Sequence, residues 1–152
     1  MVIFDCNGVL VDSEPLATQV ASQEFMRAGF ALTPEIVARY FTGRRPADMI
    51  ADVEVAAGRR LPPDFALHLQ TETIKRFRAD LKATAHAAHA LSWLRGPKCV
   101  ASSSGVDRIR TSLATTGLTI PRIVAGMRNS SDTTRTVQPV QPRRSSPGRS
   151  PT

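Results

Sequence analysis

Aromatic residues are scarce: one Trp, one Tyr and six Phe make up 5% of the 152-residue chain. A core must therefore be assembled mainly from Ala, Val, Leu and Ile. No run approaches the roughly 18 uninterrupted apolar residues that a membrane span needs. The opening stretch, MVIFDCNGVLVDSEP, lacks a basic leader and carries acids early, which argues against a secretory signal. The two cysteines, Cys6 and Cys99, are too few for a disulfide framework and point to a reducing, cytoplasmic setting. Lysine is rare as well, with 3 residues against 17 arginines and none after Lys98.

What the chain does have is a basic excess, unevenly placed. The formal net charge is +7, yet Arg128, Arg135, Arg143, Arg144 and Arg149 face a single acid, Asp132, within residues 128–152. That segment supplies more than half of the excess. It has four prolines and only Val137 and Val140 as aliphatics, too little apolar surface to offset the entropy of ordering it. The expectation is a disordered Arg/Ser/Pro/Thr-rich tail over 128–152.

Before residue 128 the apolar residues are periodic. Val2-Ile3-Phe4 reads as a short buried strand that stops at Asp5 and the Asn7-Gly8 turn signal. Pro15 to Gly29 has helical spacing through Leu16, Val20, Phe25 and Met26. Thr33-Pro34-Glu35 supplies an N-cap, a first-turn proline and an acid, opening a second helix that Gly43 breaks. A third helix runs from Pro46 to Gly58, and a fourth follows Pro62-Pro63 through Phe65, Leu69, Ile74, Phe77 and Leu81. Next come a helix around His86–Leu94, a strand at Lys98–Ala101, a helix through Ile109, Leu113 and Leu118, and a strand at Ile120–Ala125. This order implies an α/β fold: an open parallel sheet, Rossmann-like, with a four-helix insertion after its first strand.

Ligands of such sheets bind beyond the carboxyl ends of the strands. Two segments lie there, Asp5-Cys6-Asn7-Gly8 and Ser102-Ser103-Ser104-Gly105. The first offers a carboxylate and a glycine turn, and the second offers hydroxyls and N–H groups at a helix N-terminus, where an anion is favoured. A carboxylate attacking phosphorus needs this combination.

At this point the residues resemble a known family. Ile3-Phe4-Asp5-Cys6-Asn7-Gly8-Val9-Leu10-Val11-Asp12-Ser13-Glu14 is similar to the first motif of the haloacid dehalogenase superfamily. Within it, the likeness is to phosphatases and phosphomutases similar to β-phosphoglucomutase and phosphoglycolate phosphatase. Val100-Ala101-Ser102-Ser103-Ser104 resembles the second motif, and the helices between resemble the helical cap. The resemblance implies an α/β core from residues 1–14 and 83–127 and a cap from 15–82. It further implies magnesium-dependent hydrolysis of a small phosphorylated metabolite through an aspartyl-phosphate on Asp5. Asp5 and the main-chain carbonyl of Asn7 would touch Mg2+, Gly8, Ser102 and Ser103 would surround the phosphoryl group, and Arg44 and Arg45 on a cap loop would select substrate.

Several residues also have plainer readings. Exposed arginine pairs such as Arg44 and Arg45 are commonly solvated surface charge, Cys6 is a small packing thiol, and His86 with His89 lacks a third metal ligand. Three departures from the family pattern are visible. Position 7 is Asn7, where the family has the aspartate that serves as general acid/base. A lysine expected soon after Ile123-Val124-Ala125-Gly126 is absent, and the acidic pair expected further on finds only Asp132. The core is therefore expected to be truncated after the second motif and impaired in catalysis, with Val2-Ile3-Phe4 left as an edge inviting self-association. A non-catalytic remnant or phosphate binder stays open, as does a polyanion binder acting through the basic tail. The absence of aromatics from that tail argues against nucleic acid.

The arginine bias fits a GC-rich gene, and a shifted reading frame would give the composition of 128–152. We expect the interruption near Met127–Asn129. Sequencing the gene downstream should show a Gly-Lys-Pro-like stretch in another frame, and an evolved tail is the account left standing if that stretch is missing.

Overall fold

The computed structural model describes residues 1–125 and the strand at Val137–Pro139. Its elements run β1 (Val2–Phe4), α1 (Glu14–Arg27), α2 (Pro34–Phe41), α3 (Pro46–Ala57), α4 (Phe65–Asp80), α5 (Ala87–Trp93), β2 (Lys98–Ser102), α6 (Val106–Thr116), β3 (Arg122–Ala125) and β4 (Val137–Pro139). The sheet order is β1-β2-β3-β4. The first three strands are parallel, in the register Phe4↔Val100 and Val100↔Ile123. Parallel neighbours require a long crossover, and the crossover from β1 to β2 contains the four insertion helices. The α/β class with a helical insertion after the first strand is therefore the architecture observed.

Two boundaries differ from the sequence expectation. β3 begins at Arg122 rather than Ile120, because Pro121 has no N–H to give a ladder. Of the segment read as a disordered tail, Val137–Pro139 instead forms β4, antiparallel to β3. The free edge of β3 offers N–H and C=O groups that an extended segment can pair, and Pro139 is tolerated on an edge strand. The rest of the tail expectation, and the polyanion reading that depends on it, lies outside the described residues. β1 is the opposite edge, with Ile3 59% exposed.

Helix ends follow their local chemistry. Thr33 Oγ1 accepts from the Ile36 amide at the start of α2. Gly58 and Gly117 adopt positive φ where α3 and α6 stop, the conformation that lets the chain leave a helix at little cost. The entry and exit of the insertion are fastened together. Asp12 N–H donates to the Lys82 carbonyl, Thr84 N–H to the Leu10 carbonyl, each at 3.0 Å, and Val11 bridges Ala83.

Buried apolar residues fall into two clusters. One, under the sheet, includes Leu10, Val11, Phe77, Leu81, Val100 and Ile109. The other, within the insertion, includes Val20, Phe25, Phe30, Val53, Phe65 and Leu69, with the Phe25 and Phe65 ring centroids 4.8 Å apart. Two helices serve both. α4 contributes Phe65 and Leu69 to the insertion cluster and Phe77 to the sheet cluster, while α1 packs Leu16 on the sheet cluster and Phe25 in the other.

His86 is the non-glycine residue with positive φ, 64°, at the exposed cap of α5. A side chain there costs roughly 1–2 kcal/mol, more than the extra chain entropy glycine loses on folding. His86→Gly is expected to raise stability by about 0.5–1 kcal/mol in denaturant unfolding.

Candidate active site

The β1–β2 register brings the two anion-facing segments side by side. β1 ends at Phe4, so Asp5 emerges at the carboxyl end of the strand, exposed, and its Oδ1 accepts from the Cys6 amide at 2.7 Å. The chain then turns tightly. Leu10 and Val11 amides both donate to the Cys6 carbonyl, and Gly8 N–H donates to the Val11 carbonyl at 2.8 Å. Gly8 holds φ +71°, which an L side chain rarely adopts. Its N–H is thereby spent inside the turn, so Gly8 shapes the loop rather than offering a free donor to an anion.

Across the sheet, β2 ends at the buried Ser102, whose Oγ accepts from the Ser104 amide at 3.2 Å. Ser103 is exposed. Gly105 then starts α6 without any side chain capping its first turn, leaving N–H groups of that turn available.

Asn7 joins the two segments. Its Nδ2 donates to Ser104 Oγ at 2.9 Å across 97 positions of sequence, and Ser13 Oγ donates to its Oδ1 at 3.1 Å. In this arrangement the N–H end of the amide faces the serine loop and the carbonyl end faces Ser13. Ser13 is fully buried and sits at the N-cap position of α1, yet it makes no capping bond. Its hydroxyl is committed to Asn7 instead.

Cys6 lies in the sheet cluster beneath this turn. Burial pushes its thiol up to about 11, Asp5 adds in the same direction, and Arg108 acts against both. A thiol so placed is not a nucleophile at neutral pH, consistent with a packing role. Arg108, on the first turn of α6, lays its guanidinium over the Phe77 ring at 4.8 Å.

Arg44 and Arg45 are placed elsewhere. Arg44 pairs with Asp52 at 2.5 Å and Arg45 with Asp48 at 2.8 Å, both acids belonging to α3. The Arg44–Asp52 pair borders an apolar groove of about 520 Å³ lined by Phe30, Leu32, Ile36, Tyr40 and Phe41. Among the described residues no hydrogen bond or ion pair joins either arginine to Asp5, Asn7 or the serine loop.

For magnesium, the donors at hand are the Asp5 carboxylate and the Asn7 main-chain carbonyl. No group of three or more His, Cys, Asp or Glu side chains converges among the described residues. Two protein oxygens are compatible with Mg2+, which usually keeps several waters and takes further ligands from substrate phosphate rather than from an all-protein cage. His86 and His89 likewise belong to no metal-holding group among the described residues.

Ser13 and Arg108 carry weight that sequence reasoning missed. Ser13 stood inside the recognised stretch, and its position just before a helix suggested only a cap. Removing its hydroxyl should leave the half-buried Asn7 oxygen short of a donor. Ser13→Ala is expected to cost about 1–3 kcal/mol in denaturant unfolding, and a loss under about 0.5 kcal/mol would show the bond to be dispensable.

Comparison with known proteins agrees with this arrangement. No protein-family model matches the chain. The 6-phosphogluconate phosphatase of Escherichia coli is 32% identical over 113 residues, covering 74% of this chain and 51% of that protein. A haloacid dehalogenase-like protein of Agrobacterium tumefaciens superposes with a TM-score of 0.66 at 33% identity, over 77% of this chain and 53% of that one. A haloacid dehalogenase family hydrolase of Deinococcus radiodurans, crystallised with bound phosphate and sodium, gives a TM-score of 0.59 at 33% identity, over 78% and 52%. The chain thus spans about half the length of these relatives. With relatives of that kind 32–33% identical over about three quarters of its length, it belongs to the haloacid dehalogenase-like superfamily.

Proposed function

We propose that this chain is a phosphate-ester site of the phosphatase type, with Asp5 as nucleophile toward a small phosphorylated metabolite. The supporting observation is the Asn7–Ser104 hydrogen bond, which holds the Asp5 turn against the serine loop at the carboxyl ends of parallel strands. In this reading Asp5 Oδ1 is fixed by the Cys6 amide and Oδ2 attacks phosphorus, forming an acyl phosphate as the alcohol leaves. Ser102, Ser103 and the first-turn amides of α6 hold phosphoryl oxygens. Arg44 and Arg45 would reach a substrate only after exchanging their α3 carboxylates for it. The core of 1–14 and 83–127 and the cap of 15–82 act as the two sides of the cleft. Magnesium dependence belongs to the same proposal, supported by the family alone. The exposed β1 edge is the surface we assign to self-association.

A second reading, phosphate binding without turnover, is favoured by Asn7 itself. An amide held through both ends cannot exchange a proton with the leaving alcohol or the attacking water. Losing a positioned acid/base costs about 10²–10⁴-fold in rate.

Turnover of p-nitrophenyl phosphate by the 152-residue chain, with and without magnesium, separates the readings. We expect slow turnover. Asn7→Asp is expected to raise it less than about 10-fold, because a second carboxylate beside Asp5 adds repulsion to a cluster otherwise made of hydroxyls and amides. A gain of 10²-fold or more would show that the amide alone is the defect.

A further inference from the structure

Arg108 is difficult to explain as packing. Its Nε is buried and has no hydrogen-bond partner among the described residues. Glu14, at the start of α1, and Cys6 act on it only as charges at a distance, and burial pulls the guanidinium below its usual value. The stack on Phe77, itself fully buried, recovers part of the desolvation cost. A partly buried guanidinium with an orphaned Nε is otherwise a net loss, and a neutral side chain of similar length would fill the space better. The position is specific: three residues past Gly105, on the first turn of the helix that follows the serine loop, and close enough to Cys6, the residue after Asp5, for the two charges to influence each other.

We propose that Arg108 is the positioning cation of the anion site, its guanidinium, unpartnered at Nε, supplying from the first turn of α6 the positive charge that a phosphate over the serine loop requires. This rests on the reading under Proposed function and adds a residue to it. The chain has no lysine after Lys98, and the exposed Asp107 on the same turn works against an anion there. Arg108 need not touch the phosphate. Its field acts at short range from the same helix turn, and it weakens as salt screens it.

The test uses the whole 152-residue chain and inorganic phosphate, with ionic strength held constant. Unfolding is followed at increasing phosphate for the wild type, Arg108→Met and Arg108→Lys. Without phosphate, Arg108→Met is expected to be as stable as the wild type or more so, since it sheds a partly buried charge and keeps its stem on Phe77. With phosphate the order should reverse. The affinity inferred from stabilisation should fall about 10-fold in Arg108→Met and less than about 3-fold in Arg108→Lys. Should Arg108→Met not fold, Arg108→Gln replaces it with the same expectation. Equal phosphate affinity in the wild type and the neutral variant overturns the inference alone. No phosphate stabilisation of the wild type overturns the phosphate reading and this inference together. A purely structural arginine would lower stability equally at every phosphate concentration, which also overturns it.

Discussion

The pairing of β1 with β2 is the constraint on which the site depends. Three residues of β1 align in register with Lys98, Cys99 and Val100, so β1 stops beside Val100 while β2 runs two residues further, to Ser102. Asp5 follows Phe4 at once, and Ser102 closes β2, so the carboxylate and the serine hydroxyl leave the sheet at the same, carboxyl, end. A slip by one residue would turn each β1 side chain to the other face. The short antiparallel contact of Leu10–Asp12 with Lys82–Thr84 reinforces the alignment, because it closes the insertion at its base.

Energetically the molecule is less divisible than its chain order suggests. α1 and α4 each feed both apolar clusters, so the insertion and the sheet share two rigid rods. Phe77 is where this matters most for the site. It is buried in the sheet cluster, belongs to a helix of the insertion, and carries the Arg108 guanidinium on its face. A change in the tilt of α4 would be felt at the first turn of α6, and from there at the serine loop. Deleting such a ring typically costs about 3–5 kcal/mol, and here the loss would also strip Arg108 of its stack.

Much of the architecture was legible in the sequence because it follows from local rules. Pro34 and Pro46 open helices, Gly58 and Gly117 end them, and Val2-Ile3-Phe4 and Cys99-Val100-Ala101 are short apolar runs that form parallel strands, although the first, expected to be buried, is an edge with Ile3 exposed. The juxtaposition of Asp5 with the serine loop followed from strand-end geometry. Other features were not legible, since they depend on partners distant in the chain. Nothing near Asn7 announces Ser104 as its acceptor, and nothing near Ser13 shows that its hydroxyl leaves its cap to reach Asn7. Nothing in the sequence around Arg108 singles it out; the packing of α4 against α6 half-buries it against Phe77. The left-handed His86 is similar, because a histidine gives no local reason to adopt positive φ. The start of β3 was misjudged for a local reason, the missing N–H of Pro121.

The chemistry of position 7 follows from these contacts. An aspartate there would keep the shape and could still accept from Ser13, and the Ser104 hydroxyl could rotate to donate to its second oxygen. The hydrogen bonds would survive; the charge would not be matched. Asn7 keeps both loops together with a neutral group, so the site presents one carboxylate, Asp5, to an incoming anion instead of two. That lowers the repulsion an anion meets while removing the proton carrier that turnover needs. The same substitution thus favours holding a phosphate over hydrolysing it. The role proposed for Arg108 acts in the same direction as the amide at position 7, toward anion retention.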